Sequence, residues 1–349
     1  MRKYFISIIP LLLISNFSLL GQTINRTGTS AAQFLKFGVS ARESAMGEAG
    51  VATAENAAAL YWNPAGIPRV KKPSLIGSQN QYYLDLSYSF LGFVMPINSY
   101  DAIGISALFL NSGEMEVTTL DQPQGTGRYF SWESMMLAVS YGRFVTNHLS
   151  LGITLKYIRE GAYTLTANGV AIDVGALLDT GVLGMKLGVN LSNLGTEMRL
   201  NGDNLHVDHN WYQSENETIS SPAFLETQGW DLPLLFRLGL AMEVIGDQGQ
   251  FAQNENHKII IATDTVDPRD GLLQANVGIE YQWRQTFKLR AGYRNISLEK
   301  NDSYVSSSYS AGIGFRYQLN RLDFSLDYGF CDYKMLGSGH QVSVIIGIL

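Results

Sequence analysis

The sequence predicts an all-β fold, an antiparallel transmembrane β-barrel of about 14 strands with an N-terminal hatch or plug segment. Three observations carry this prediction. Apolar and polar residues alternate along most of the chain after residue 73. The alternating segments are long, and the connections between them mostly alternate between short and long. Only 16% of the 349 residues are charged, against about 25% in soluble domains. We therefore expect that much of the protein surface is uncharged.

Composition also excludes several functions. The formal net charge of −6 gives no electrostatic support for binding a polyanion, so nucleic acid is not an expected partner. Cys331 is the single cysteine, which rules out an internal disulfide and any CxxC-type metal or redox site.

The first 21 residues resemble a secretory signal peptide. Arg2 and Lys3 precede the apolar stretch "YFISIIPLLLISNFSLL", which is short for a membrane-spanning helix and contains Pro10. We predict that residues 1–21 are cleaved and that the chain is delivered to the outer membrane; a retained membrane anchor is the alternative.

Residues 22–73 lack sustained alternation and are rich in Ala and Gly. They form the predicted hatch, with helix-compatible pieces at 31–37, 40–46 and 54–61. Asn63 before Pro64 indicates a sharp turn, because proline disfavours helix in the preceding residue and the Asn side chain can accept a backbone N–H bond. A barrel of this width leaves a lumen, so we expect the segment to fold back as a plug. A disordered periplasmic tail is the alternative.

Residues 74–349 form the predicted barrel wall. In "LDFSLDYGF" every second residue from Leu322 to Phe330 is apolar, and the residues between them are polar or Gly. A soluble β-sandwich would also alternate, but its strands average about 5 or 6 residues. The predicted strands here are mostly longer, and lie near 74–83, 85–97, 102–117, 129–145, 149–161, 169–180, 183–198, 232–245, 258–268, 272–283, 287–297, 307–319, 322–333 and 339–349.

Connection lengths predict the orientation. The tight connections follow even-numbered strands, whereas the long segments 118–128, 199–231 and 298–306 follow odd-numbered ones. Outer-membrane barrels have short periplasmic turns and longer extracellular loops, so the tight turns are predicted to face the periplasm. Segments 246–257 and 269–271 depart from the pattern.

Polar residues opposite the apolar stripes are predicted to line the lumen. Both signs of charge are interspersed among them, which suits a hatch held by ion pairs better than an apolar conduit. The predicted lumen-facing residues are Lys156, Glu280, Lys288, Arg290, Arg294, Arg316, Asp323 and Asp327.

Motifs for chemistry are weak. His206 and His209 in "HVDH" could bind a metal on a helix, but a solvated loop is the better interpretation. The "DTVDPRDG" segment from Asp264 misses the alternating calcium-loop spacing and is interpreted as a strand end and turn. Nothing indicates a catalytic triad, so we predict no enzyme, cofactor or metal site.

The stretch "GTSAAQFLKFGVSARESAMGEAGVATAENAAALYWNPAGI", residues 28–67, resembles the N-terminal signature of the PorV/PorQ family of Bacteroidetes outer-membrane proteins. That family is similar in turn to the FadL long-chain fatty-acid transporters, whose hatch carries an Asn-Pro-Ala turn. The resemblance implies the following hatch motif residues: Arg42, Met46, Gly47, Trp62, Asn63, Pro64, Ala65 and Gly66.

The resemblance also implies two functions. The first is an outer-membrane component associated with the type IX secretion system, with membrane lipid, secretion-system proteins or secreted cargo as partners. The second is a FadL-like transporter of hydrophobic small molecules. Family membership alone does not decide between them.

Overall fold

A computed structural model of the chain describes residues 28–348, apart from 83–85, 214–217, 248, 299–306 and 335–336. The predicted signal peptide lies outside the described residues. The wall consists of fourteen strands: β1 Ser74–Gln81, β2 Ser87–Pro96, β3 Asp101–Asn111, β4 Trp132–Phe144, β5 Leu149–Ala162, β6 Leu165–Asp179, β7 Met185–Gly195, β8 Leu235–Gly246, β9 His257–Pro268, β10 Gln274–Trp283, β11 Phe287–Ser297, β12 Ser308–Leu319, β13 Leu322–Asp332 and β14 Ser338–Ile348.

Each wall strand pairs antiparallel with the next along the chain, and β14 pairs with β1 to close the barrel. Closure leaves no unpaired edge in the membrane. Two-residue strands at Asn201–Gly202 and Ala252–Gln253 extend the sheet beyond the wall. The predicted barrel is confirmed, and each of the fourteen predicted segments overlaps one wall strand. Met115–Glu116 and Tyr129–Phe130, at the edges of two predicted segments, pair with each other outside the wall.

Period-2 alternation determines the two faces of the wall. In β13, Leu326 and Tyr328 are exposed on the outer face, whereas Asp327 and Gly329 are buried on the inner face. Strand ends are less predictable. The segment predicted at 102–117 leaves the wall at Asn111, because the Asn111 side chain accepts a hydrogen bond from the Gly113 N–H and turns the chain away.

The two ends of the barrel differ in loop length. Tight turns such as 97–100, 145–148 and 320–321 lie at one end, which we call the short-turn end. At the opposite, long-loop end, residues 196–234 include a hairpin of His206–Gln213 with Thr218–Phe224. His206 and His209 therefore lie on a strand and not in an irregular loop. Two connections depart from this pattern. Residues 247–256 form a long connection at the short-turn end, and residues 269–273 form a short one at the long-loop end.

The hatch consists of short helical pieces connected by turns. They are a 3-10 helix Gln33–Lys36, α1 Ala41–Ala45, α2 Ala59–Trp62 and a 3-10 helix Pro64–Arg69. Helix α1 packs against β11–β14, and the last 3-10 helix packs against β3–β6 on the other side of the wall. The segment therefore occupies the lumen as a plug. Among the described residues, no helix is both long and apolar enough to cross a bilayer.

Candidate functional site

The Asn63-Pro64 turn joins two hatch segments to the wall. Asn63 follows α2 in an extended conformation, and its Oδ1 accepts a hydrogen bond from the Ala65 N–H at 3.1 Å. Its Nδ2 donates to the carbonyl of Val51 in the hatch at 3.0 Å and to the carbonyl of Ala176 in β6 at 3.1 Å. One fully buried side chain thus fixes the bend and seats it against the wall.

Glycines on the inner face make room for this hatch. On eleven of the wall strands, a Cβ added to one inward glycine would lie 3.0 Å or less from a hatch atom. We call this set the glycine belt: Gly92, Gly104, Gly142, Gly152, Gly175, Gly188, Gly239, Gly278, Gly292, Gly312 and Gly329.

Several of the close belt contacts involve backbone, which cannot yield as a flexible side chain can. A Cβ on Gly152 would lie 2.2 Å from the carbonyl carbon of Pro64, and one on Gly292 would lie 2.0 Å from the Gly47 nitrogen. Gly47 has φ +65°, and a Cβ there would meet the Val277 carbonyl at 2.8 Å. Hatch and wall therefore each contribute a glycine to the same contact.

A chain of buried ion pairs connects α1 to the wall. The Arg42 guanidinium bonds Glu280 at two points, 3.0 and 3.1 Å, and also reaches Glu43 at 3.1 Å. Arg290 bonds Glu280 at 2.6 Å and Asp327 at 2.7 Å. The structure thus brings together four of the residues predicted from the sequence. Glu280, Arg290 and Asp327 are almost fully buried, and paired in this way their charges compensate one another.

The remaining predicted lumen residues fall into two groups. Arg294 reaches the hatch, bonding Glu48 at 2.7 Å while its guanidinium lies 4.4 Å from the centre of the Tyr333 ring. The others bond within the wall or stand alone: Lys156 pairs with Asp173 at 2.6 Å. Arg316 pairs with Asp323 on the neighbouring strand. Lys288 faces inward and forms no ion pair within 4.0 Å among the described residues.

Several groups outside the hatch that hold it were not predicted. Asp264 accepts hydrogen bonds from the N–H groups of Gly50 and Val51 at 2.8 and 2.9 Å. Arg237 places its guanidinium over the rings of Tyr61 and Trp62.

At the long-loop end, Asp270 bonds Lys36 at 2.8 Å and Glu160 accepts from the Ala32 N–H at 2.9 Å. Asp264 and Asp270 of the "DTVDPRDG" segment therefore bind different parts of the hatch. No group of three or more His, Cys, Asp or Glu among the described residues is arranged to hold a metal ion.

One sector of the lumen wall is largely apolar. Inward residues of β2–β4 such as Tyr88, Phe90, Leu108 and Met136 are buried hydrophobic groups that pack with the hatch. Tyr61 of the hatch donates a hydrogen bond to the Leu35 carbonyl at 3.0 Å. Burial raises the pKa of Tyr61 to about 12, which keeps the phenol neutral. The charged residues predicted to line the lumen lie on β5 and on β10–β13, whereas the β2–β4 sector is largely apolar.

A closed fourteen-stranded wall with its lumen filled by an N-terminal hatch is the fold of FadL-like outer-membrane β-barrels. Residues 21–183 match the family model described as "Type IX secretion system protein PorV". The PorV-family resemblance predicted from residues 28–67 is thereby confirmed. A search of curated proteins found no match.

Solved structures share the architecture. The CymD monoaromatic hydrocarbon channel is 14% identical, with 89% of this chain and 98% of that chain covered and a TM-score of 0.59. The Pseudomonas putida toluene transporter TodX is 13% identical over 88% of this chain and 97% of its own, with a TM-score of 0.56. A Pseudomonas aeruginosa FadL homologue is 14% identical over 89% and 98%, with a TM-score of 0.50. At such identities the likeness establishes the fold alone.

Proposed function

We propose that the protein is an outer-membrane component of the type IX secretion system that handles secreted cargo or partner proteins through its outer loops and its hatch. The observation that carries the proposal is the PorV-family match over residues 21–183. This region contains the described hatch and strands β1–β6, which form the Asn63 seat and the apolar half of the lumen.

The division of the chain belongs to the same proposal. Residues 1–21 are removed as a signal peptide, 22–73 act as the hatch and 74–349 form the wall. The hatch motif residues that the resemblance identifies act as the seat of the plug. Arg42 and Asn63 are its main polar anchors, because each bonds both the hatch and the wall.

Exposed apolar side chains at the long-loop end support protein contacts. Leu120 is fully exposed, and Phe224 and Leu225 are about half exposed, in loops that extend beyond the wall strands. Membrane lipid would not cover these positions if the loops face the medium. Apolar residues that remain uncovered in water are typical of protein interaction sites.

The alternative is a FadL-like transporter of hydrophobic small molecules. The apolar residues on β2–β4 favour it, because they would line a path for such a compound if the hatch moved. The ion pairs of Arg42 and Arg294 across the hatch boundary oppose such a movement.

The two functions are separable in the native host. We would compare a deletion strain complemented with the natural chain, with Leu120→Ser/Leu225→Ser, or with Val182→Ser as an exposed control at the short-turn end. The proposal expects that the double variant reaches the membrane normally but loses cargo export and partner co-purification. Normal export in the deletion strain, together with reduced uptake of an apolar compound, would instead support transport.

A further inference from the structure

A cavity of about 460 Å³ lies between the hatch and the wall at the short-turn end. At this end the 3-10 helix Pro64–Arg69 packs against β3–β6 and leaves space on the opposite side of the lumen. The lining of the cavity accordingly comes mainly from β9–β14 and the hatch. We call this space the basin. Val70, Ile260 and Ile345 supply its apolar side chains, and nearly all the rest of its lining is polar or charged.

Charge in the basin is strongly one-sided. Seven cationic and three acidic side chains line it, although the whole chain has a net charge of −6. The three carboxylates are already engaged by arginines: Glu55 by Arg69, Asp323 by Arg316 and Asp327 by Arg290. Each acid is therefore shared between an arginine and the other cations near it, and the cations of the lining outnumber the acids.

Arg42 and Lys258 pair with Glu280 and Glu243, which lie outside the lining, and three lysines of the lining remain. Lys71 and Lys72 lie where the hatch passes into β1, and Lys288 points inward from β11. Within the described part of the chain, none of the three forms an ion pair or a side-chain hydrogen bond. Like charges that face one partly enclosed space repel each other more strongly than they would in bulk water. An anion placed between them would remove this repulsion and accept their hydrogen bonds.

We propose that the basin is a binding site for an oxyanion, a carboxylate or phosphate group, held chiefly by Lys72 and Lys288 with Lys71 at its rim. Most of the lining residues are charged or polar, and the excess of cations among them suits an anion better than an uncharged acyl chain. The oxyanion belongs either to a small free molecule or to acidic side chains of a protein segment that enters from the short-turn end. This binding does not depend on the secretion role.

The test is calorimetric titration of the full barrel in neutral detergent at low salt, with inorganic phosphate, citrate and a glutamate-rich peptide as probes. Lys72→Gln and Lys288→Gln should each weaken binding about tenfold, because each removes one charge-assisted hydrogen bond. Arg321→Gln is the matched control, since Arg321 is an exposed cation at the same end but outside the basin lining. It should change binding less than twofold, and high salt should weaken all binding.

The probes distinguish the two sources of the oxyanion. Tighter binding of phosphate or citrate identifies a free anion as the ligand, and tighter binding of the peptide identifies an acidic protein segment. Lys288→Arg should retain most of the affinity, and heat-modifiable migration on gels checks that each variant forms the barrel. The proposal is overturned if none of the three probes binds at low salt, or if Arg321→Gln weakens binding as much as Lys288→Gln does.

Discussion

The guanidinium of Arg42 in the hatch lies flat against the carboxylate of Glu280 in the wall and bonds it at two points, with Nε to Oε2 at 3.0 Å and Nη2 to Oε1 at 3.1 Å. This contact joins residues 238 positions apart in the chain. It also positions Glu280 to receive Arg290, whose second bond continues the chain to Asp327. The hatch thus supplies a positive charge that compensates a buried carboxylate of the wall.

Arg42→Gln should destabilise the seated hatch by about 3–5 kcal/mol, because it leaves the buried Glu280 without half of its compensation. The measurement is urea unfolding, with protease access to the hatch as a second readout. Arg42→Gln/Glu280→Gln should cost less than the sum of the two single changes. Strict additivity would show that the two groups are not energetically coupled.

Gly292→Ala should displace the hatch, because the new methyl group would lie 2.0 Å from the Gly47 nitrogen. We expect a loss of about 1–3 kcal/mol in unfolding free energy and increased ion conductance of the barrel in planar bilayers. Gly77→Ala is the control, since nothing lies within 4 Å of the position of its Cβ. Equal behaviour of the two variants would contradict the role given to the glycine belt.

Asn63→Asp should destabilise the seated hatch, although the two side chains are similar in size. It replaces the amide that donates to the Val51 and Ala176 carbonyls with a carboxylate oxygen, which repels them. We expect a loss of about 1–3 kcal/mol or more, measured by urea unfolding. Pro64→Ala, which only frees a backbone angle, should cost about 1 kcal/mol or less. Both barrels should still form; a greater effect from Pro64→Ala would mean that the ring, not the Asn bonds, fixes the bend.

The orientation predicted from loop lengths is testable by labelling. Cysteines introduced at Leu120 and Asn147 lie at opposite ends of the barrel, and the natural Cys331 is buried. A membrane-impermeant thiol reagent should label the Leu120 variant on intact cells and the Asn147 variant only after the outer membrane is opened. Labelling of both on intact cells would reject the orientation.

The Lys36–Asp270 pair should make the hatch sensitive to acid. Burial alone would raise the pKa of Asp270, but hydrogen bonds from Gln33 and Lys36 outweigh it and lower the pKa below its usual value. Because the folded pKa is the lower one, the pair stabilises the fold above the unfolded pKa of about 3.9 and loses this effect as pH falls through the folded value. Asp270→Asn should therefore be less stable than the natural chain at pH 7, and the difference should shrink in strong acid. A difference independent of pH would contradict this assignment.

Much of the wall was predictable from the sequence. Alternation in β13 follows from a physical requirement, since one face meets lipid and the other meets the lumen, and a strand turns successive side chains to opposite faces. The same parity applies to Arg290 and Asp327, whose side chains are buried on the inner face. The bend at Asn63 was predictable too, because its turn depends on bonds and restrictions among adjacent residues.

Partners across the lumen were not predictable in this way. Alternation gives the face on which Asp264 or Gly292 lies but neither its height in the barrel nor the hatch atom opposite it. Those depend on the register of every strand pair and on the path of a hatch that is distant in sequence from most of the wall. The ion pair of Arg42 with Glu280, the bonds of Asp264 to the hatch and the glycine belt therefore exist only once the barrel has closed around residues 28–73. The sequence by itself determined the faces of the strands and the local bend, because these depend on neighbouring residues, whereas tertiary structure decided which inward groups meet.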